Sequence, residues 1–332
     1  MNCEILHTIY VKSNGDIPCS CNYYGEQVLL GKIIHDDPLW DIQTVLTNDK
    51  YTHIRNSLSS GTPPWEDICK KCAFLRNNYP FSDSLSQREI MKIQIEPSLA
   101  CNLDCPCCSS KAQRVSRPKP HLMKREVFES LFKSLTQHLY LVQSIEYQGQ
   151  GEPLMHPQFA EFVKIARRYY PDAMQRLITN GNFDYWNTTN GEFIEEIYVS
   201  CDGAYQSSYE RYRIKGNVEK AIKFMKDIKK AGMVRQLTWK YILFEFNDSD
   251  EELIAAQHLA NNIGVDLLMF VFTHSKFKSL KYKPETVADL PIIYPNVITN
   301  YTTPIEKTYK NRGNYILNLS GIKQLLKKYI NP

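Results

Sequence analysis

No apolar run in this chain approaches the about 20 residues needed to cross a bilayer. The amino terminus, MNCEILHTIYVKSNG, lacks a basic segment followed by an apolar one, so no secretory leader is read and a cytoplasmic protein is expected. Net charge is nearly absent: 40 basic residues against 36 acidic leave +4, too small an excess to argue for nucleic acid. Neither membrane nor nucleic acid is therefore expected as a partner. Low-complexity stretches and internal repeats are also missing. The 332 residues, 43 % of them apolar, suffice for one large domain plus a small one, or for two of medium size.

Cysteine, in contrast, is abundant and clustered. The ten cysteines are Cys3, Cys19 with Cys21, Cys69 with Cys72, then Cys101, Cys105, Cys107 and Cys108 within CNLDCPCC, and Cys201 alone. Disulfide frameworks belong mainly to short secreted chains. Close spacing in a reducing compartment points instead to metal or iron–sulfur ligation.

Composition divides the chain into zones. Residues 1–80 hold five cysteines, short strand-like pieces (HTIYV, QVLLGKII) and a helix around DPLWDIQTVLTNDKYTHIRNSL. Residues 81–92 read as a polar linker, 93–275 as a repeating strand–loop–helix unit, and 276–332 as a C-terminal extension closing on the amphipathic GIKQLLKKYI. Within the repeating unit, six strands are legible: MKIQIEP, SIEYQG, QRLITNG, EEIYVSCDG, LTWKYILFEFN and VDLLMFVF. NVEKAIKFMKDIKKAG puts Val218, Ile222, Met225 and Ile228 on one stripe before Gly232. NDSDEELIAAQHLANNIG opens with a Ser249–Glu252 capping box and closes on Gly264. Strands alternating with helices predict an α/β fold with parallel strands, as a barrel, a partial barrel or an open doubly wound sheet. All three gather their chemistry at the carboxyl ends of the strands. Cys101 to Cys108, Gly149 to Pro153, Thr179 to Gly181, Ser200 to Gly203 and Asn247 fall at those ends.

Cys101, Cys105 and Cys108 form C-x3-C-x2-C directly after the first of these strands, which resembles the radical S-adenosylmethionine (SAM) superfamily. The resemblance covers roughly residues 90 to 275 and implies a partial (β/α)6 TIM-type barrel. It also implies three thiolates on a [4Fe–4S] cluster whose fourth iron is left for SAM. Structural zinc, which takes four ligands, fits a 3,2 spacing poorly. YQGQGEPLMHP is similar to the family's GxGEP element, implying that Gly151 lets the backbone approach and that Glu152 accepts from the SAM amino group; Gln150 stands where a second adjacent glycine is common. LITNG resembles the family's third-strand element, which implies Asn180 near the cofactor. VSCDGAYQSSYERYRIKGN implies Ser200 at the ribose and Arg213 at the SAM carboxylate, and Asn247 falls where the family often touches adenosine. Cys107 stands where the family commonly has an aromatic residue; a small apolar filler and an extra ligand are its two readings, the latter breaking the spacing. Cys201 alternates away from Ser200 and Asp202, which fits packing, with a hydrogen-donating thiol as the alternative.

The N-terminal stretch resembles the SPASM or twitch module of many radical SAM enzymes, here placed before the barrel as an α+β module. The matches are Cys3, NGDIPC, LLGKI, a Trp-bearing helix with Arg55, and CKKC. Five cysteines imply one auxiliary [4Fe–4S] cluster on Cys3, Cys69, Cys72 and either Cys19 or Cys21, since the distance from Gly15 suits neither exactly as the family spaces them. A zinc knuckle is the alternative.

The resemblance implies reductive cleavage of SAM to a 5′-deoxyadenosyl radical, fed by an external one-electron donor of flavodoxin or ferredoxin type. The radical removes hydrogen from a small polar substrate, a sugar or alcohol, leading to oxidation or epimerisation. Modification of a peptide or protein side chain is the second reading. Lys276, Lys278, Lys281 and Lys283, with His274, suit an anionic substrate or form a solvated loop. A zinc-binding interaction protein and an electron carrier without SAM chemistry are the readings from other classes.

Overall fold

The computed structural model describes residues 1–20, 26–108, 114 and 122–301. Eight strands form one sheet: β1 (Thr8–Val11), β2 (Lys92–Ile95), β3 (Ser144–Tyr147), β4 (Met174–Thr179), β5 (Ile194–Ser200), β6 (Val234–Ile242), β7 (Leu267–Val271) and β8 (Val297–Thr299). Every pairing is parallel, and each strand lies beside its predecessor, in the order β1 through β8. Among the described residues β1 and β8 do not pair, so the barrel is partial. The six predicted strands are β2 to β7. The sheet extends beyond them at both edges, with β1 from the N-terminal cysteine-rich stretch and β8 from the stretch after residue 275.

The helices, in chain order, are α1 (Ile42–Leu46), α2 (Asp49–Ser59), α3 (Glu66–Cys69), α4 (Arg125–Gln137), α5 (Phe159–Tyr169), α6 (Tyr185–Thr189), α7 (Gln206–Tyr212), α8 (Val218–Ala231) and α9 (Asp250–Ile263). In α8, Asn217 caps the Lys220 amide, the predicted stripe is buried, and Gly232 closes the helix at φ +66°. In α9 only half of the predicted capping box forms. Ser249 accepts from the Glu252 amide, but the Glu252 carboxylate turns to the Ala204 amide at 3.0 Å and to the Ser208 hydroxyl. Donors of the loop after β5 outcompete the cap.

Strand alternation separates two faces. Ile145, Tyr147, Ile197, Val199, Cys201, Leu237, Trp239 and Tyr241 are fully buried in the apolar core. Phe128 and Phe162 stack at 4.4 Å beneath α4 and α5. The alternate positions face the barrel lumen and include a polar cluster in which Arg176 bridges Glu146 at 3.0 Å and Glu196 at 2.6 Å. The stretch expected as a linker is packed. Leu85 lies in the core, Asp83 pairs with Arg55 at 2.6 Å, and Glu89–Ile90 bridges Leu141–Val142. GIKQLLKKYI and Cys21 lie outside the described residues.

Candidate active site

β2 ends at Ile95, and the chain runs through Glu96 to Ala100 into the cysteine loop. Two glycines let the loop after β3 lie directly against this segment. A Cβ on Gly149 would stand 2.2 Å from Glu96 Cγ, and one on Gly151 would stand 2.4 Å from both Leu99 C and Ser98 O. The Glu152 amide donates to Ala100 O at 2.8 Å across the same contact. The glycine expected to admit a cofactor thus admits the backbone that leads into Cys101.

Above this contact a cavity is lined by Cys101, Cys105 and Cys108 on one side and by Gly151, Glu152, Asn180, Ser200 and Arg213 on others. The strand ends therefore bring eight of the sequence-predicted residues to one place. Burial pushes the Cys105 thiol up to about 11 and also raises Cys101. Three soft donors held together in a partly apolar pocket suit a metal–sulfur core, which would displace their protons. Among the described residues no three His, Cys, Asp or Glu side chains close on a point as ligands of a single ion do.

Glu152 is buried and caps the turn Pro153–Met155. Its Oε1 accepts from the Leu154 amide at 3.2 Å and the Thr179 hydroxyl at 2.7 Å, and its Oε2 from the Asn180 amide at 2.8 Å. A carboxylate has about four acceptor sites, so roughly one remains for the cavity. Burial outweighs these donors and lifts its pKa to about 7. Asn180 donates from Nδ2 to Asn102 Oδ1 at 2.8 Å, tying the cysteine loop to the end of β4. Arg213 reaches in from the end of α7. Its Nε pairs with Asp202 at 2.6 Å, and its Nη1 lies 4.0 Å from Cys105 Sγ. Burial opposes its charge, but Asp202 more than compensates and raises its pKa.

Asn247 does not line the cavity. Its Nδ2 donates to Asp202 O at 2.9 Å and Ile242 O at 3.0 Å, while its Oδ1 accepts from the Phe244 amide at 2.7 Å. These bonds make it a brace that holds the Asp202 loop. Sequence reasoning missed Arg114, whose Nη1 donates to Cys108 Sγ at 3.3 Å and to Gln150 O at 2.9 Å. It also missed the chain Asn102–Asn182–Tyr209, in which Asn102 donates to Asn182 O at 3.3 Å and Asn182 to the Tyr209 hydroxyl at 2.6 Å. Arg114 sits in SSKAQRVSRPKP, which has no periodicity to single it out.

Cys107 packs against the apolar cluster of Leu103, Tyr212 and Phe244 and is not part of the cavity wall. Cys201 is fully buried in the core, with its Sγ 3.6 Å from Gly203 O. In the lysine loop, Lys281 pairs with Asp250 at 2.7 Å and Lys276 lies over the Phe277 ring, while Lys278, Lys283 and the exposed His274 border a separate surface cavity.

A second set of thiols meets beside β1. Cys3, Cys19, Cys69 and Cys72 line one small apolar pocket with Trp65, Ile68 and Phe74. Cys3 follows from the pairing of Asn2–Cys3 with Leu75–Arg76, and Cys69 and Cys72 from α3 and its C-terminal turn. Burial pushes Cys3 and Cys19 up to about 12, with neighbouring cysteines adding to the shift. Four thiols around one void suit a metal–sulfur group by the same chemistry.

A sequence model described as the Radical SAM superfamily matches residues 95–260. GTP 3′,8-cyclase of Nautilia profundicola is 23 % identical over 193 residues, which are 57 % of this chain and 58 % of that protein. The chain thus spans little more than half the length of this curated relative. The crystal structure of Streptococcus suis SuiB bound to precursor peptide SuiA resembles this chain with a TM-score of 0.51 and 13 % identity, over 81 % of this chain and 69 % of that one. This likeness concerns the fold.

Proposed function

The chain belongs to the radical SAM superfamily, and on that premise we propose that it oxidises a small polar molecule, a sugar or alcohol, with an auxiliary iron–sulfur cluster at its N-terminal end. When bound, the barrel cluster and SAM supply one-electron cleavage to methionine and a 5′-deoxyadenosyl radical that takes hydrogen from the substrate. Cys101, Cys105 and Cys108 would hold the cluster, and Arg114 donates to Cys108. Glu152, through its remaining acceptor site, takes the SAM amino group, and Arg213, through the nitrogens not spent on Asp202, takes the carboxylate. Ser200 meets the ribose, while Asn180 keeps the cysteine loop in place. An external flavodoxin- or ferredoxin-type donor supplies the electron.

The observation that carries this reading is the convergence of three thiols with Glu152, Asn180 and Arg213 on one cavity. Oxidation is preferred to epimerisation on two grounds. Cys201 faces the core, and among the described residues no thiol other than Cys101, Cys105 and Cys108 lines the cavity to return hydrogen. The pocket of Cys3, Cys19, Cys69 and Cys72 offers a twitch-like site for a cluster that accepts the second electron. With such a group held by Cys3, Cys19, Cys69 and Cys72, oxidation of an alcohol would balance: the substrate would lose one hydrogen atom, one proton and one electron, and that group would take the electron.

Anaerobic reconstitution tests this reading. Two [4Fe–4S] clusters hold about eight irons per chain, and a deuterated substrate should pass its label into 5′-deoxyadenosine. Zinc in place of iron would overturn it. Transfer of deuterium from a peptide, and from no sugar or alcohol, would move the assignment to peptide modification.

A further inference from the structure

Among the described residues, the cations on the lumen face beneath the cavity include Arg176, Arg213 and Lys240, and the first two are paired. Arg176 bridges Glu146 and Glu196, and Arg213 pairs with Asp202. The third is Lys240, in the middle of β6. Its chain neighbours Trp239 and Tyr241 are fully buried on the helix side, with the Trp239 indole donating to Cys201 O at 2.6 Å. Lys240 therefore points the other way, to the face shared by Thr238 and Ile242. Its register partners are Ser200 on β5, a residue of the cavity wall, and Met269 on β7. The charges it senses are Asp202 and Glu146, which favour its ammonium, and Arg213, which opposes it. Both carboxylates are already engaged by arginines, and among the described residues the Lys240 side-chain amine has no hydrogen-bond or ion-pair partner of its own.

We propose that Lys240 is the substrate anchor of the lumen and receives an oxyanion, a carboxylate or a phosphate, of the molecule whose C–H bond is attacked. This deepens the function proposed above and rests on it, since it takes the neighbouring cavity as the SAM site. The physical ground is the cost of a lumen cation without a counterion, which an incoming anion relieves. Burial already lowers the pKa of this amine, the sign that water solvates it poorly. Its place beside Ser200 sets a bound anion next to the cavity wall, so the rest of a small substrate extends toward the carbon to be activated.

The test titrates inorganic phosphate and, separately, acetate into the reconstituted full-length enzyme with SAM present, by calorimetry at constant ionic strength. One anion should bind saturably, and which one names the class. K240M should weaken it at least tenfold and K240R should restore most of the loss, with iron content and circular dichroism as controls for folding. No saturable binding to the wild type, or binding that survives K240M and is lost in K278M, overturns the assignment and would locate the anion on the exposed lysine loop. Failure of SAM itself to bind overturns this inference and the function beneath it. SAM binding with anion titrations indifferent to K240M overturns the inference alone.

Discussion

Replacing Gly151 with alanine is the sharpest test of how the site is built. The added Cβ would stand 2.4 Å from Leu99 C and Ser98 O and 2.6 Å from Ala100 O, all backbone atoms, where ordinary contact begins at 3.4 Å. The shortfall of 3.4 − 2.4, about 1 Å, must be met by moving one loop off the other, because no flexible side chain can yield. Overpacking of this kind costs about 1–3 kcal/mol. Losing the 2.8 Å bond from the Glu152 amide to Ala100 O adds about 1 kcal/mol. The total, about 2–4 kcal/mol, lowers Tm by roughly 3–6 °C in a chain of this size. The displaced segment leads directly into Cys101, and metal–ligand distances tolerate only about 0.2 Å. G151A should therefore lose the barrel iron, falling from about eight to about four irons per chain, while the N-terminal set stays loaded. Iron analysis and a thermal melt read both effects. G232A serves as a control: nothing lies within 4 Å of its Cβ and only the φ of +66° is strained, so it should cost about 1 kcal/mol and no iron. A G151A protein with full iron and a wild-type Tm would refute the reasoning.

C107A should keep the full iron complement and C108A should lose the barrel half; the reverse result in anaerobic iron analysis would exchange their roles. C19A should lose only the auxiliary iron, and retention of all iron would pass that ligand position to Cys21. Burial raises the Glu152 carboxyl from 4.5 to about 7, so the folded state holds this proton more tightly than the unfolded chain. The stabilisation is present below pH 4.5 and is lost as pH rises through 7, an effect of about 3 kcal/mol. Melts of the SAM-free protein should show this slope, and E152Q should flatten it; an unchanged slope would assign the titration elsewhere. N247A leaves the Phe244 amide and two carbonyls short of a partner, so it should destabilise by about 3 kcal/mol, whereas an unchanged Tm with lost SAM affinity would restore an adenosine contact.

The strands β2 to β7 were legible because alternation and turn residues bracket them. β8 has only three residues, Val297–Thr299, too few for a period to show, and its pairing with β7 is set in three dimensions. HTIYV was legible as a strand, but nothing local says that it would join a sheet whose next strand begins 81 residues after its last residue, Val11 to Lys92. Period two says that two faces differ, not which one meets water. In an ordinary half-buried strand the Glu146, Arg176 and Lys240 positions would face solvent, whereas here they face the lumen. The cysteine spacing was informative because a short loop must itself wrap the cluster. The bracing bonds of Asn247 were not legible, because an amide at a strand end suits a brace as well as a ligand contact.

The direction of β1 gives the molecule an electrical axis. Cys3 precedes β1, whereas Cys101 follows β2, and the two strands run parallel, so the chain enters the sheet from one thiol set and leaves it toward the other. The four residues of β1 alone span about 13 Å. Tyr10, paired in register with Gln94, contacts Phe74 at 6.2 Å, and Phe74 lines the N-terminal thiol pocket. With both clusters in place, a substrate held in the lumen would give up its hydrogen at one mouth of the barrel and its electron toward the other. On the function proposed above, the β1 edge would then help to set the distance an electron has to cross, and lengthening it should slow turnover without touching a single ligand.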